Sequence, residues 1–180
     1  MSERAIGSKS RKRARAFIGA VRACMLASIL GAMHARAADM TDPGVAFLQK
    51  AAEANAAEIK TSQVAQTRAT DPAVKAFADR MVDEHTANEH ALDALAKKRK
   101  VTVGDDPDAA RLIRIGTLQK LEGPAFDQAY VKTLIADHAA AIGLFENASR
   151  TINDAEIRQF VGATLPLLRE HAEAANALAH

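Results

Sequence analysis

The chain has 180 residues, 48% hydrophobic and 26% charged, with one cysteine and no tryptophan, which is the size and composition of one ordinary globular domain. Its net charge of +2 and pI near 8.8 come from the N-terminus. Residues 1–37 hold eight of the 24 basic residues and one of the 22 acidic ones, leaving 16 against 21, a net −5, in the remainder. That balance, with no basic stripe interleaved with aromatics, argues against a nucleic-acid partner.

The first 37 residues read as a secretory signal peptide. A basic stretch from Lys9 to Arg15 precedes an apolar run from Ala23 to Met33, and Ala35-Arg36-Ala37 supplies a small-x-small cleavage pattern. Cleavage after Ala37 leaves a folded domain over residues 38–180, exported to the periplasm. The rival reading is a retained anchor, the one route by which the chain would touch a membrane. Arg22 interrupts that run, which is shorter than the roughly 20 residues a spanning helix needs. Cys24, the only cysteine, lies inside this leader, and Arg22 just before it argues against lipid modification. The mature domain therefore has no disulfide and no thiolate ligand, and is held together by its core.

Beyond the leader the punctuation is helical. Asp42-Pro43, Asp71-Pro72 and Asp106-Pro107 each set a capping carboxylate before a proline at the first helical position. Gly123-Pro124 and Asn153-Asp154 mark two further starts. The spacing predicts helices over Pro43–Arg68, Pro72–Lys100, Pro124–Ser149 and Asp154–Leu178, plus a short one over Pro107–Leu121. No alternating strand pattern intervenes. Short joints near Thr70 and Thr151 make the first and second, and the third and fourth, long helices antiparallel neighbours. The stretch from Val101 to Gly123 is long enough to travel the bundle. Two hairpins joined by one long crossover form a ferritin-like four-helix bundle; an up-down bundle with a decorated loop is the alternative. An internal echo fits two related hairpins. Val74-Lys75-Ala76-Phe77-Ala78 resembles Ile157-Arg158-Gln159-Phe160-Val161, and Met81-Val82-Asp83-Glu84-His85 resembles Leu167-Leu168-Arg169-Glu170-His171.

Each long helix carries one ionisable group on its apolar stripe. Glu58 sits among Ala51, Ala54, Thr61, Ser62 and Ala65. His85 follows Val74, Phe77 and Met81 and precedes Leu92 and Leu95. His138 lies among Val131, Leu134, Ile142 and Phe145, and His171 among Phe160, Val161, Thr164, Leu168 and Leu178. An imidazole turned into a bundle needs a partner, and four such groups on four helices are what a metal site in a bundle core requires. Counting from the joints, Glu58, His85 and His138 fall near mid-height, while His171 is displaced by roughly 9 Å. Pro166, which frees a carbonyl at Gly162, complicates the path of the last helix.

Two readings stay open. In one, the cluster holds a metal ion through Glu58, His85 and His138, with His171 as a fourth ligand. In the other, Glu58 pairs with His85 or His138 in a structural hydrogen-bond network, and the protein is a non-catalytic structural or interaction module of the cell envelope. A di-iron centre is disfavoured. It needs Glu-x-x-His on two helices, whereas Val82 and Leu168 stand three residues before His85 and His171. Histidines with a carboxylate suit zinc or copper instead. No phosphate loop or nucleophile elbow is present.

Several stretches together resemble an exported bacterial family of unknown function, expected to be ferritin-like and often labelled membrane or outer-membrane protein. They are Phe47-Leu48 with Glu58, Val74-Lys75-Ala76-Phe77-Ala78, Met81-Val82-Asp83-Glu84-His85, Phe126-Asp127-Gln128-Ala129-Tyr130, Asp137-His138, and Leu165-Pro166-Leu167-Leu168-Arg169-Glu170-His171. The resemblance implies a ferritin-like bundle in the cell envelope and no established reaction. The family often has Asp where this chain has Glu84, a substitution of little consequence if that acid faces water.

Overall fold

The computed structural model describes residues 42–179; the leader and its cleavage pattern, and His180, lie outside them. Five helices are present among the described residues: α1 (Pro43–Arg68), α2 (Pro72–Lys98), α3 (Ala109–Leu118), α4 (Gly123–Thr151) and α5 (Ala155–Leu178). Three starts follow the capping logic. Asp71 accepts from the Ala73 amide, Asp108 from Arg111, and Asp154 from Glu156 and Ile157, satisfying amides that a helix leaves unpaired. Several boundaries shift by one to three residues from expectation, two of them for a local reason. The short helix is capped by Asp108 rather than Asp106, since Asp106 is drawn off to Lys60 Nζ at 2.5 Å. The fourth helix starts at Gly123 with φ +58°, a conformation only glycine adopts without strain, and Glu122 makes no side-chain cap.

The long helices pack as a ring, α1 against α2 and α4, and α5 against α4 and α2. Contacts at the two ends set their directions. At one end the buried Asp127 of α4 accepts from Thr70 N (3.1 Å), Thr70 Oγ1 (2.5 Å) and Asp71 N (3.0 Å), tying the α1–α2 joint to the start of α4. At the other end Lys98 reaches Glu156 at 3.0 Å and Arg99 pairs with Asp154, so the end of α2 meets the start of α5. Residues 99–122 therefore climb the length of the bundle, and α2 and α4 run parallel. This is the ferritin-like arrangement, with α3 laid on α1 and α4 and its Leu118 buried. Among the described residues no helix is long and apolar enough to cross a membrane.

The interior falls into two apolar halves. One joins Phe47, Leu48, Leu92, Phe145, Ile157 and Leu168 among others; the second joins Val74, Phe77, Met81, Phe126, Tyr130 and Leu134 among others. On every long helix the residues separating the halves are polar and buried: Asn55 and Glu58, His85, His138, Thr164 and His171.

Two stability outcomes follow from the ends. Asp127→Ala strands three donors and lowers unfolding free energy by about 2–3 kcal/mol, read by urea denaturation. At the end of α2, Val101 N bonds Ala96 O and Lys100 N bonds Lys97 O, with Lys100 at φ 57°, in the position where such caps usually carry glycine. Lys100→Gly should raise stability by about 1 kcal/mol; an unchanged or lower midpoint would contradict the cap.

Candidate metal centre

Small residues on α1 (Ala51, Ala52, Ala56, Ala57, Ser62, Ala65, all buried) let the neighbouring helices close around the polar layer. One ring nitrogen from each of His85, His138 and His171 lies within 4.8 Å of one from each of the others. The ring centroids are 5.8 Å apart for His85–His138, 5.2 Å for His85–His171 and 5.3 Å for His138–His171. All three residues are buried, His138 and His171 completely. A point shared by such nitrogens lies at most about 2.8 Å from each, so a modest ring movement reaches the 2.0–2.1 Å of a Zn–N bond.

Hydrogen bonds set the tautomers. His85 Nδ1 donates to Asn55 Oδ1 at 2.9 Å, because the Asn55 amide nitrogen is committed to the His85 carbonyl, also at 2.9 Å. His138 Nδ1 donates to the Leu134 carbonyl at 2.9 Å. His171 Nε2 donates to Glu84 Oε2 at 2.5 Å. The second nitrogen of each ring, His85 Nε2, His138 Nε2 and His171 Nδ1, is buried and has no hydrogen-bond partner among the described residues. Each is therefore left with its lone pair. Metal-bound histidines show this pattern: one N–H anchored to a carbonyl or carboxylate, the other nitrogen on the ion.

The rings are held neutral. Burial, then the neighbouring His138 and His171, push His85 well below the usual histidine range. Burial takes His138 down to about 4, against the lift of its Leu134 bond. Burial also lowers His171, offset in part by Glu84. Glu58 moves oppositely: burial, then the negative charge of Asp137, raise its carboxyl well above the ordinary range, with Arg111 and Arg114 acting against them.

Of the four residues singled out in the sequence, the structure brings His85, His138 and His171 into one group and sets Glu58 beside it. Glu58 Oε1 is 3.7 Å from His138 Nδ1, too far for a hydrogen bond, and that proton already goes to Leu134. The displacement expected for His171 is a correction. Ile152 is extended and residues 152–154 turn across the bundle end, so they add no helical rise. Counted from the helix ends, His85 is 13 residues past Pro72, His138 is 13 before Thr151 and His171 is 16 past Ala155. The residual offset of about 4.5 Å is within side-chain reach. Glu84 does not simply face water: it is half-buried on His171, and Arg80 Nε meets its other oxygen at 3.0 Å. Against a burial penalty, these two bonds hold its carboxyl below the usual range. Asn55 escaped the sequence reading. Its one signal was a buried-stripe amide among alanines, and its Oδ1 also takes the Asn88 amide at 2.9 Å, while Asn88 accepts from Thr164 at 3.2 Å.

Residues 30–178 match the family described as domain of unknown function DUF4142. The chain belongs to that family. A crystal structure of a DUF305 fragment from Deinococcus radiodurans is similar in fold to this DUF4142 chain, with a TM-score of 0.69 over 77% of this chain and 96% of that one, at 12% identity. No curated protein matches the chain.

The depressed histidines make the metal-free DUF4142 bundle acid-sensitive. Unfolded histidines take up protons near pH 6.5, whereas folded His138 resists until about 4, so stability present above pH 6.5 is lost as pH falls through that window. His138 alone accounts for about 3 kcal/mol. Glu58 runs the other way: its raised value contributes stability at low pH that is lost as pH rises through the folded value. The acid loss should therefore be steeper in Glu58→Gln than in the wild type. Urea denaturation from pH 7 to pH 4 checks both, and a flat profile contradicts the buried neutral trio.

Proposed function

We propose that this protein is an exported metal-binding bundle of the cell envelope, which holds one Zn²⁺ or copper ion on His85 Nε2, His138 Nε2 and His171 Nδ1. One observation carries the reading: three buried imidazoles, each with a nitrogen within 4.8 Å of one on the other two, spend their N–H groups on Asn55, Leu134 and Glu84, and each leaves its second nitrogen without a partner among the described residues. Had the cluster been a structural network, those nitrogens would be paired with one another or with Glu58. Neutral imidazoles are the ligand class that zinc and copper favour. The basic and apolar leader with its small-x-small pattern supports export, and the lack of any thiol beyond residue 37 suits a site built from imidazole alone.

Elemental analysis of protein purified from the periplasm tests the reading. The expected result is one equivalent of zinc or copper, absent from His85→Ala. Added metal at about a thousand times its dissociation constant raises stability by about 4 kcal/mol. A wild type that takes up neither metal and melts identically with and without them would overturn the proposal.

A further inference from the structure

Three histidines complete neither a tetrahedral zinc site nor a four-coordinate copper site, and no fourth ligand joins their group among the described residues. Beside the trio lies a cavity of about 20 Å³ bordered by Glu58, His85, His138 and Asn55 and walled by Phe145 and Leu168. Its size admits about one water molecule. The polar groups on its border sort cleanly. Asn55 and Asn88 are committed to His85, to each other and to Thr164. Glu58 Oε2, His85 Nε2 and His138 Nε2 are buried without partners. Glu58 is only 5% exposed, and it borders the same space as His85 and His138, two of the three proposed ligands.

From this juxtaposition, and resting on the metal-binding reading above, we infer that the bound ion keeps one coordination position for an exchangeable ligand of water size, a water, a hydroxide or a comparably small molecule, seated in this cavity and hydrogen-bonded to Glu58. Glu58 is thereby a positioning residue for the exogenous ligand and not a ligand of the metal. The rim suits exchange, since Ala54, Asn88 and Ala141 are only half-buried and place the cavity one side-chain layer from solvent. Ala54 and Ala141 border the cavity, so a longer aliphatic side chain at either is placed to fill it.

The test is pulsed electron paramagnetic resonance on the Cu²⁺-loaded full-length protein in H₂O and in D₂O. The expected result is three coordinated imidazoles together with a strongly coupled exchangeable hydrogen. That coupling disappears in Ala141→Leu and in Ala54→Leu, each of which still takes up one Cu²⁺. Histidine N–H hydrogens exchange too, but they lie a ring's width from the ion and couple weakly. Copper on three imidazoles with no strongly coupled exchangeable hydrogen in the wild type overturns the inference and leaves the metal reading standing. So does a coupling that persists in both filled variants. A wild type that shows no signal from bound copper overturns the inference and removes copper from the metal reading, which then stands or falls on zinc uptake in the elemental analysis. The wild-type measurement decides on its own, should a filled variant fail to fold.

Discussion

An imidazole that donates one N–H is left with a lone pair on the opposite edge of its ring, and in this bundle three such rings are clustered in a buried layer. Burying one unpaired polar atom costs about 1–3 kcal/mol, and the centre contains four, counting Glu58 Oε2. Against a net stability of about 5–15 kcal/mol for a domain, that is a large local cost. It is concentrated in one layer, with apolar contacts above and below it on every long helix. A cation there would replace repulsion between lone pairs by coordination, and would turn the least favourable layer of the core into a cross-link between α2, α4 and α5.

The scaffold is arranged to hold that layer in register. Alanines along α1 bring its backbone close to α2 and α4, so a short amide, Asn55, spans the gap to both the carbonyl and the ring of His85. The Thr164–Asn88–Asn55 chain ties α5, α2 and α1 together at the same level. A residue longer than asparagine at position 55 would separate the helices, and an aliphatic one would release the His85 ring to rotate. The crossover adds a lateral constraint. Arg114 of α3 bonds Asp137 at 2.8 Å, one residue before His138, and closes the side of the bundle behind Glu58. Fold and site are thus the same set of contacts read at two scales.

Much of this was legible before any coordinates. Stripe spacing placed all three histidines on inward faces, and the joint lengths implied two hairpins with a crossover. What sequence could not supply was the partner of each ring. Partner choice depends on which helix lies opposite at a given height, and height depends on where a helix begins. Counting the height of His171 from the joint near Thr151, and not from the start of the last helix, moved it out of the layer. Glu84 shows the same limit: on α2 alone it lies beside the apolar stripe and reads as solvated, and only α5 makes it the acceptor for His171. Glu58 was overvalued for a related reason. A buried carboxylate beside histidines suggests a ligand, but its reach past the His138 ring edge is a matter of ångströms.

The repeated Glu-His pair shows how far the two hairpins depart from symmetry at the centre. The acid of the first pair, Glu84, crosses to the histidine of the second. The acid of the second pair, Glu170, does not cross back. It stays 66% exposed, 3.7 Å from Arg80, the same arginine that holds Glu84. His85 therefore anchors on a neutral amide and His171 on a carboxylate. A carboxylate acceptor strengthens the opposite nitrogen as a donor more than an amide does, and Arg80, by sharing Glu84, moderates that effect. The three imidazoles are chemically unlike, with an amide, a peptide carbonyl and a charged network behind them. An ion bound among them would have its strongest donor on the α5 side, at His171 Nδ1, where the charged network reaches the protein surface through Arg80 and Glu170.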